Sequence, residues 1–255
     1  MVGGKLKIAE VQKDTVVAYF DLEFCNECKS RQNYPIAIGV SYRRGSAELY
    51  AYHALIWIGD ELTLWKEQLA RIGYDNEELR RHGRPMGEVT EELLSAHERL
   101  QPKLYVSYGS QDEKMLLRHA SQSLDEFHFR DGLKFLSKRM SMKCEVSLEK
   151  YAYICGMPFV HQFQPLEDAR CLAGVLWRVL HGNIDEGRRQ EVLREYEIRL
   201  FLSEYKSKRQ AAEYLESLGQ LTPKQQAKRK KHREYLAKNA AFYKECLRRM
   251  QEQDG

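Results

Sequence analysis

Four acids in the chain, Asp21, Glu23, Asp112 and Asp168, are the residues whose type and placement could do chemistry together. Asp21 and Glu23 are separated by one residue in the run VVAYFDLEF (16–24). An extended strand repeats every two residues, so both carboxylates share one face while Leu22 points into the core from the other. Two carboxylates at the end of an apolar strand repel each other and gain nothing from burial. A hard divalent cation such as Mg²⁺ or Mn²⁺ removes that conflict, because oxygen ligands suit it. The plainer alternative is a solvated strand end, since acids are mostly exposed. Asp112 follows a strand and a glycine and opens a helix, and Asp168, with Glu167 beside it, lies in the first turn of another. At both places the helix dipole alone would account for an acid. Singly, none of the four discriminates; their order along the chain does.

The elements that must position them can be read from the hydrophobic period. The run 16–24 is a buried strand, and PIAIGVSYRR (35–44) and AELYAYHALI (47–56), separated by Gly45-Ser46, extend it into a three-stranded antiparallel meander. From 61 to 100 the period becomes helical, with Leu62, Leu64, Trp65 and Leu69 on one face and Val89, Leu93, Leu94 and Leu100 on another. LYVSYG (104–109) is a fourth strand that stops at Gly109 before a helix from Asp112 to Ala120. HFRDG (128–132) is a fifth strand followed by a helix over 133–140, and SLEKYAYICG (147–156) is a short helix. PLEDARCLAGVLWRVLHG (165–182) is a strong helix, with Pro165 in its first turn and Gly182 after its end. Strands first, then strands alternating with helices, imply an α/β fold with a mixed sheet. Beyond about residue 183 helix formers dominate, and two long helices are expected over 184–218 and 222–251, broken at GQLTP (219–223).

At 255 residues the chain can bury one full core and carry an appendage. Charges interrupt every apolar stretch before the roughly 18–20 residues of a membrane span. MVGGKLKIAEVQKDT lacks the apolar centre of a secretory signal, so no membrane partner and a cytoplasmic location are the expectation. Six cysteines are too few for a disulfide scaffold in a chain of this length, and the lone Cys25-x-x-Cys28 is a weak zinc or redox signal beside the reading as reduced thiols.

The order D-x-E on the first strand, an acid after a strand–Gly turn, and an acid opening a long apolar helix resembles the DEDD (DnaQ-like) exonucleases. FDLEF (20–24), YVSYGSQDEKML (105–116) and EDARCLAGVLWRVL (167–180) carry the resemblance. Ser-Tyr-Gly-x-x-Asp (107–112) and RDGLKFL (130–136) are closest to the DEDDh subgroup of sporulation-inhibitor and histone-mRNA exonuclease-like proteins. The resemblance covers roughly residues 14–182. It implies a ribonuclease H-like mixed sheet flanked by helices, an exonuclease domain over 1–182 and a basic helical extension over 183–255. It further implies a 3′→5′ exonuclease acting on single-stranded DNA or RNA with a free 3′ end. Asp21 would bridge two Mg²⁺ or Mn²⁺ ions, Glu23 and Asp168 would complete one site, and Asp112 would hold the other. Family members place a general-base histidine five residues before the last Asp, or a tyrosine four before it. Those positions here are Phe163 and Gln164, and His161, seven residues before Asp168, is the candidate base on a longer loop. The alternative is a catalytically weak or inactive nuclease-fold module that binds nucleic acid or a protein.

The segment 222–251 carries ten Lys or Arg against two Glu, with Lys228, Arg229, Lys230, Lys231 and Arg233 clustered in its first half. Such a patch attracts polyanions, and interleaved rings can stack on unpaired bases. Phe24 and the loop 26–34 are candidates for the wall against the terminal nucleotide. Equally, Tyr196, Leu200, Tyr214, Leu218, Tyr235, Leu236, Phe242 and Leu247 could form the buried seam of a helical hairpin packed on the nuclease, or of a homo-oligomer.

Overall fold

The computed structural model describes residues 6–142, 145–159 and 163–253. They form two compact units, Met1–Glu186 and Gly187–Gly255.

The first unit is built on β1 (Val16–Asn26), whose first five residues, VVAYF, are all buried, so both faces of the strand are covered. β2 (Asn33–Arg44) and β3 (Ala47–Trp57) continue it as an antiparallel meander. Two short helices, α1 (Lys66–Arg71) and α2 (Asn76–His82), lead to a two-residue strand β4 (Arg84–Pro85) parallel to β3. After α3 (Met86–Leu100), β5 (Leu104–Ser107) lies parallel to β1. α4 (Gln111–His119) separates β5 from its parallel neighbour β6 (Phe129–Asp131). α5 (Gly132–Arg139), α6 (Leu148–Ile154) and α7 (Pro165–Leu180) complete the unit. The sheet order is β4-β3-β2-β1-β5-β6, a mixed six-stranded sheet flanked by helices.

One core joins the sheet to α3 and α4 through Phe20, Leu22, Ile38, Val40, Leu93, Tyr105, Met115 and Phe127. Leu22 therefore faces the core, and Asp21 and Glu23 emerge on the opposite face. That face is covered by α7, which buries Ala169, Leu172, Ala173, Val175, Leu176 and Val179. Burying each Leu or Val contributes about 1.5–3 kcal/mol, enough to fix the helix.

How closely α7 approaches is decided by a glycine. Gly39 pairs with Asp21 across β1 and β2. A Cβ built on it would lie 2.0 Å from Leu166 N and 2.3 Å from Leu166 Cα, inside the backbone of the first turn of α7. No side chain fits there, so the helix start rests directly on the sheet beside Asp21.

Two local expectations are corrected. The helical face drawn through Leu62, Leu64, Trp65 and Leu69 does not exist as such, because α1 begins at Lys66. Leu64 is instead in extended backbone bridged to Glu27, with Thr63 O and Asn26 O taken up by Cys28 N and Trp65 N. Those bonds outweigh the helical period and dock the segment on the end of β1.

The second unit consists of α8 (Glu186–Ser217), which begins at the boundary, and α9 (Pro223–Gln253). The break falls at 218–222, where Thr222 N donates to Gln225 Oε1 and Gln225 N to Thr222 Oγ1, a reciprocal cap before Pro223. The two helices run back on each other: Phe201 meets Phe242 with ring centroids 4.7 Å apart, Tyr205 stacks on Tyr243 at 4.0 Å, and Arg233 pairs with Glu216. The seam differs from the expected one only in part. Tyr235, Leu236 and Phe242 do meet Tyr205 or Phe201, whereas Leu200 and Tyr214 are 54% and 64% exposed and Leu202, Tyr205, Ala212, Leu215 and Cys246 are buried. Apolar and aromatic residues occur around much of both helices, and the stacked tyrosines select a face that hydrophobicity alone does not. Among the described residues no helix is long and apolar enough to cross a membrane.

Gly39→Ala is expected to force α7 off the sheet and destabilise the protein by about 3 kcal/mol, the upper part of the overpacking range. Urea unfolding measures it; an unchanged midpoint would mean that the helix start can move aside at no cost.

Candidate metal and active site

Asp21, Glu23 and Asp168 each bring one carboxylate oxygen within 4.8 Å of the others. They arrive from two elements: the pleat of β1 places Asp21 and Glu23 on one face, and the approach of α7 over Gly39 delivers Asp168 from its first turn. All three are half-buried. Asp112 comes from the far side of β1. Ser107 Oγ donates to Gly109 O at 2.6 Å, Gly109 turns the chain at φ 104°, and α4 then starts with Asp112 buried in its first turn, near the Leu22 backbone N–H. Asp112 does not share the three-oxygen cluster, but its charge acts on Asp21.

The electrostatics follow from that crowding. Burial, then the charges of Asp112, Glu23 and Asp168, hold the Asp21 carboxyl well above the usual carboxylate range. Burial and Asp168 push Glu23 up to about 7. Asp168 is raised to about 6, chiefly by burial, although it accepts the Phe163 backbone N–H. Asp112 is raised to about 8, again chiefly by burial, with Glu23 and Asp131 adding to it. Among the described residues no lysine or arginine charge offsets Asp21, Glu23 or Asp168. Asp168 Oδ1 is buried with no hydrogen-bond partner. A buried orphan acceptor is costly unless something electropositive meets it. An all-oxygen, net-negative donor set with that orphan fits a hard divalent cation.

Glu167, which the sequence leaves level with Asp168, is accounted for. Arg170 Nη1 donates to it at 2.6 Å, and the same guanidinium grips Glu48 on β3 through two bonds of 2.9 and 2.8 Å. Glu48 also accepts from Ser41 Oγ on β2 at 2.7 Å. The Arg170 fork thus ties α7 to the sheet and leaves Asp168 as the acid free to face β1.

Several positioning groups escaped the sequence analysis. Gln68 on α1 accepts from Asn26 N at 3.0 Å and donates to Phe24 O at 3.3 Å, pinning β1 just after the register shift at Glu23/Phe24. Phe24 itself is half-buried against the core cluster. Tyr74, between α1 and α2, donates to Phe163 O at 3.1 Å. Burial, with Glu23, Glu78, Asp21 and Asp168 nearby, raises its hydroxyl pKa. The Phe163 peptide is therefore held from both sides, its N–H by Asp168 and its C=O by Tyr74, in a left-handed conformation at φ 67°. His161 lies outside the described residues. In the second unit Lys228, Lys230 and Lys231 are exposed and Arg229 is half-buried. Arg233 is spent on Glu216 at 2.7 Å, and Lys230 reaches toward Glu234 at 4.0 Å. Of the Cys25-x-x-Cys28 pair, Cys25 is buried with its thiol on Trp65 O and Cys28 is exposed.

No protein-family model and no curated protein sequence matches the chain. Solved structures do match in fold. The nuclease domain of 3′hExo, a DEDDh family member solved with rAMP, superposes with a TM-score of 0.55 at 14% identity, over 67% of this chain and 96% of that one. Cell-death related nuclease 4 (CRN-4) gives 0.56 at 12% identity, over 68% and 66%. E. coli exonuclease I in complex with a dT13 oligonucleotide gives 0.52 at 12% identity, over 71% and 43%. The fold is that of DEDD-type exonucleases, with a helical region at its C-terminal end.

Two outcomes follow. Glu23, Asp112 and Asp168 have folded-state pKa values of about 7, 8 and 6, above their unfolded values near 4. The fold therefore favours their protonated forms, and that stability is fully present below about pH 4 and lost as pH rises through about 6–8. In chelator, Tm should fall by on the order of 5 °C between pH 5.5 and 8. Mn²⁺ should restore it at pH 8 and do little at pH 5.5, and Asp112→Asn should raise the metal-free Tm at pH 8. A metal-free Tm that climbs over this range contradicts the assignment. Separately, Tyr74→Phe is expected to weaken Mn²⁺ binding about 10-fold by calorimetric titration, because it frees the Phe163 backbone bonded to Asp168 without touching a carboxylate. An unchanged Mn²⁺ affinity would remove Tyr74 from the support of the site.

Proposed function

We propose that the chain is a metal-dependent 3′→5′ exonuclease that removes nucleotides one at a time from the free 3′ end of single-stranded DNA or RNA. The observation that carries this is the convergence of Asp21, Glu23 and Asp168 within 4.8 Å, with Asp112 acting on Asp21, on a DEDD-type exonuclease fold. Asp21, Glu23 and Asp168 would hold one Mg²⁺ or Mn²⁺, and Asp21 with Asp112 a second. When bound, such ions supply Lewis-acid stabilisation of the charge on the attacking and leaving oxygens. The chain's own groups do the rest. His161 would take the proton from the attacking water, the role for which an imidazole titrating near neutrality is suited. The Phe163 peptide, clamped by Asp168 and Tyr74, fixes the chain two residues beyond that histidine. Water adds at phosphorus, the 3′ oxygen of the penultimate nucleotide leaves, and a 5′-mononucleotide is released. Phe24 and the exposed tail cations Lys228, Lys230 and Lys231, with Arg229, are assigned to the nucleic acid, while Arg233, paired with Glu216, orders the hairpin that carries them.

A second reading, a weak or inactive module that binds nucleic acid, is favoured by one observation. Phe163 and Gln164 stand where a base would be expected from the resemblance. End-labelled oligonucleotides with Mg²⁺ or Mn²⁺ separate the two. Shortening from the 3′ end is expected, abolished in Asp21→Ala and slowed about 100-fold in His161→Ala, the usual worth of a general base. Intact oligonucleotide at micromolar protein would leave the binding module as the answer.

A further inference from the structure

A second concave site lies on the first unit, outside the acid cluster. It is a cavity of about 650 Å³ between the turn Ile8–Glu10, β6 and α5. Five of its lining residues are cationic and two, Glu113 and Asp131, are acidic.

The charges are not equivalent. Arg130 is spent on construction, donating to Leu6 O at 2.9 and 2.7 Å and so holding the N-terminal segment as a wall. Asp131 caps α5 by accepting Lys134 N at 2.8 Å. Lys134, Lys138 and Arg139 are exposed and make no ion pair among the described residues. Lys134 and Lys138, four residues apart on α5, share one helix face at a separation of about 6 Å. Beside them Phe135 and Phe129 are half-buried and expose ring surface to the cavity. Unspent cations beside partly open rings are the chemistry that holds a single strand, phosphates on the cations and a base on a ring.

The location is as telling as the lining. Glu113 is the residue after Asp112 on α4, and Asp131 pairs with Ser107 at the carboxyl end of β5. The cavity therefore neighbours Asp112, on which the Asp131 charge acts, near the carboxyl ends of β5 and β6, where α/β sheets place ligands. All of it lies within one compact unit.

We propose that this cavity is the subsite for the nucleotides upstream of the scissile bond, holding a single-stranded nucleic acid by its phosphates on Lys134, Lys138 and Arg139 and by one base on Phe135. The proposal rests on the exonuclease reading for its direction, since the 3′ end must lie at the acids and the strand must leave past Asp131. It makes this groove, on the same unit as the acids, a determinant of how substrate length is felt.

The test uses the full chain with Lys134, Lys138 and Arg139 all changed to Ala. Hydrolysis of a dinucleotide, too short to reach the cavity, is compared with that of a long single strand. The variant is expected to raise KM for the long strand about 10-fold, and to flatten the slope of log affinity against log salt by about 2, since each single-strand phosphate contact contributes about 0.7. Its kcat/KM on the dinucleotide should stay within about twofold of the parent. Equal losses on both substrates, or an unchanged KM on the long strand, overturn the proposal. Fluorescence anisotropy in chelator keeps it separable from the catalytic reading. If the parent protein hydrolyses nothing yet the triple variant still binds the labelled strand less tightly with the flatter salt slope, the subsite stands and the exonuclease falls. Unaltered strand binding in the variant, with a poly-glutamate peptide bound only by the parent, would assign the cavity to an acidic protein and refute the nucleic-acid subsite.

Discussion

The start of α7 lies against bare backbone at Gly39, and the chemistry of the molecule depends on that contact. Asp168 must reach two carboxylates on β1, and the distance is set by the thickness of whatever lies between helix and sheet. With a methyl group at Gly39 the first turn would collide with it at 2.0 Å. With hydrogen there, the helix settles, its apolar face buries, and the repulsion between Asp168 and the β1 acids is overcome by burial elsewhere along α7. Arg170 adds a second fastening, because its fork on Glu48 pulls the same turn toward β3 while holding Glu167 away from the acids. Packing thus supplies the force, and the carboxylates are held together against their own preference.

That arrangement stores free energy in the metal-free state. Desolvation leads the causes at all four acids, and mutual charge adds to it at Asp21, Glu23 and Asp112. The orphan Asp168 Oδ1 is the same cost expressed in hydrogen bonding. A protein that needed these residues only for stability would do better with neutral ones, since replacing buried charges by well-packed apolar groups is often neutral or favourable. Stability is surrendered locally, as at sites whose function needs a cation or an anion to complete them.

Much of this is legible in the residues, and the parts that are not have physical reasons. The pleat of β1 puts Asp21 and Glu23 together with Leu22 opposite because a period of two admits no other arrangement. The mixed sheet and the long helix after Pro165 follow equally from periodicity and punctuation. Gly39 carried a usable signal, since an isolated glycine inside the strand IAIGV marks a close backbone approach. What approached it lay 127 residues away in the chain, and no local pattern names it. Tyr74 and Gln68 were invisible for a related reason: each acts through a backbone carbonyl of another segment, Phe163 O or Phe24 O, and carbonyls have no residue signature. The tail shows the opposite failure. Its apolar and aromatic residues offered too many candidate faces, and the choice was made by the stacking of Tyr205 on Tyr243 and the burial of Leu202, Leu215 and Cys246.

The backbone of Phe163 is held in place at the entry to α7. A histidine five residues before Asp168 would occupy the place of Phe163, whose backbone is instead bound on both sides and forced to φ 67°. A non-glycine residue in that region costs about 1–3 kcal/mol, and it persists only where its surroundings over-determine it. Here they do, through one hydrogen bond from a residue between α1 and α2 and one to the first turn of α7. The Phe163 side chain itself is 37% exposed. The backbone at 163 is thus tied to two separate segments, the α1–α2 connection through Tyr74 and the first turn of α7 through Asp168.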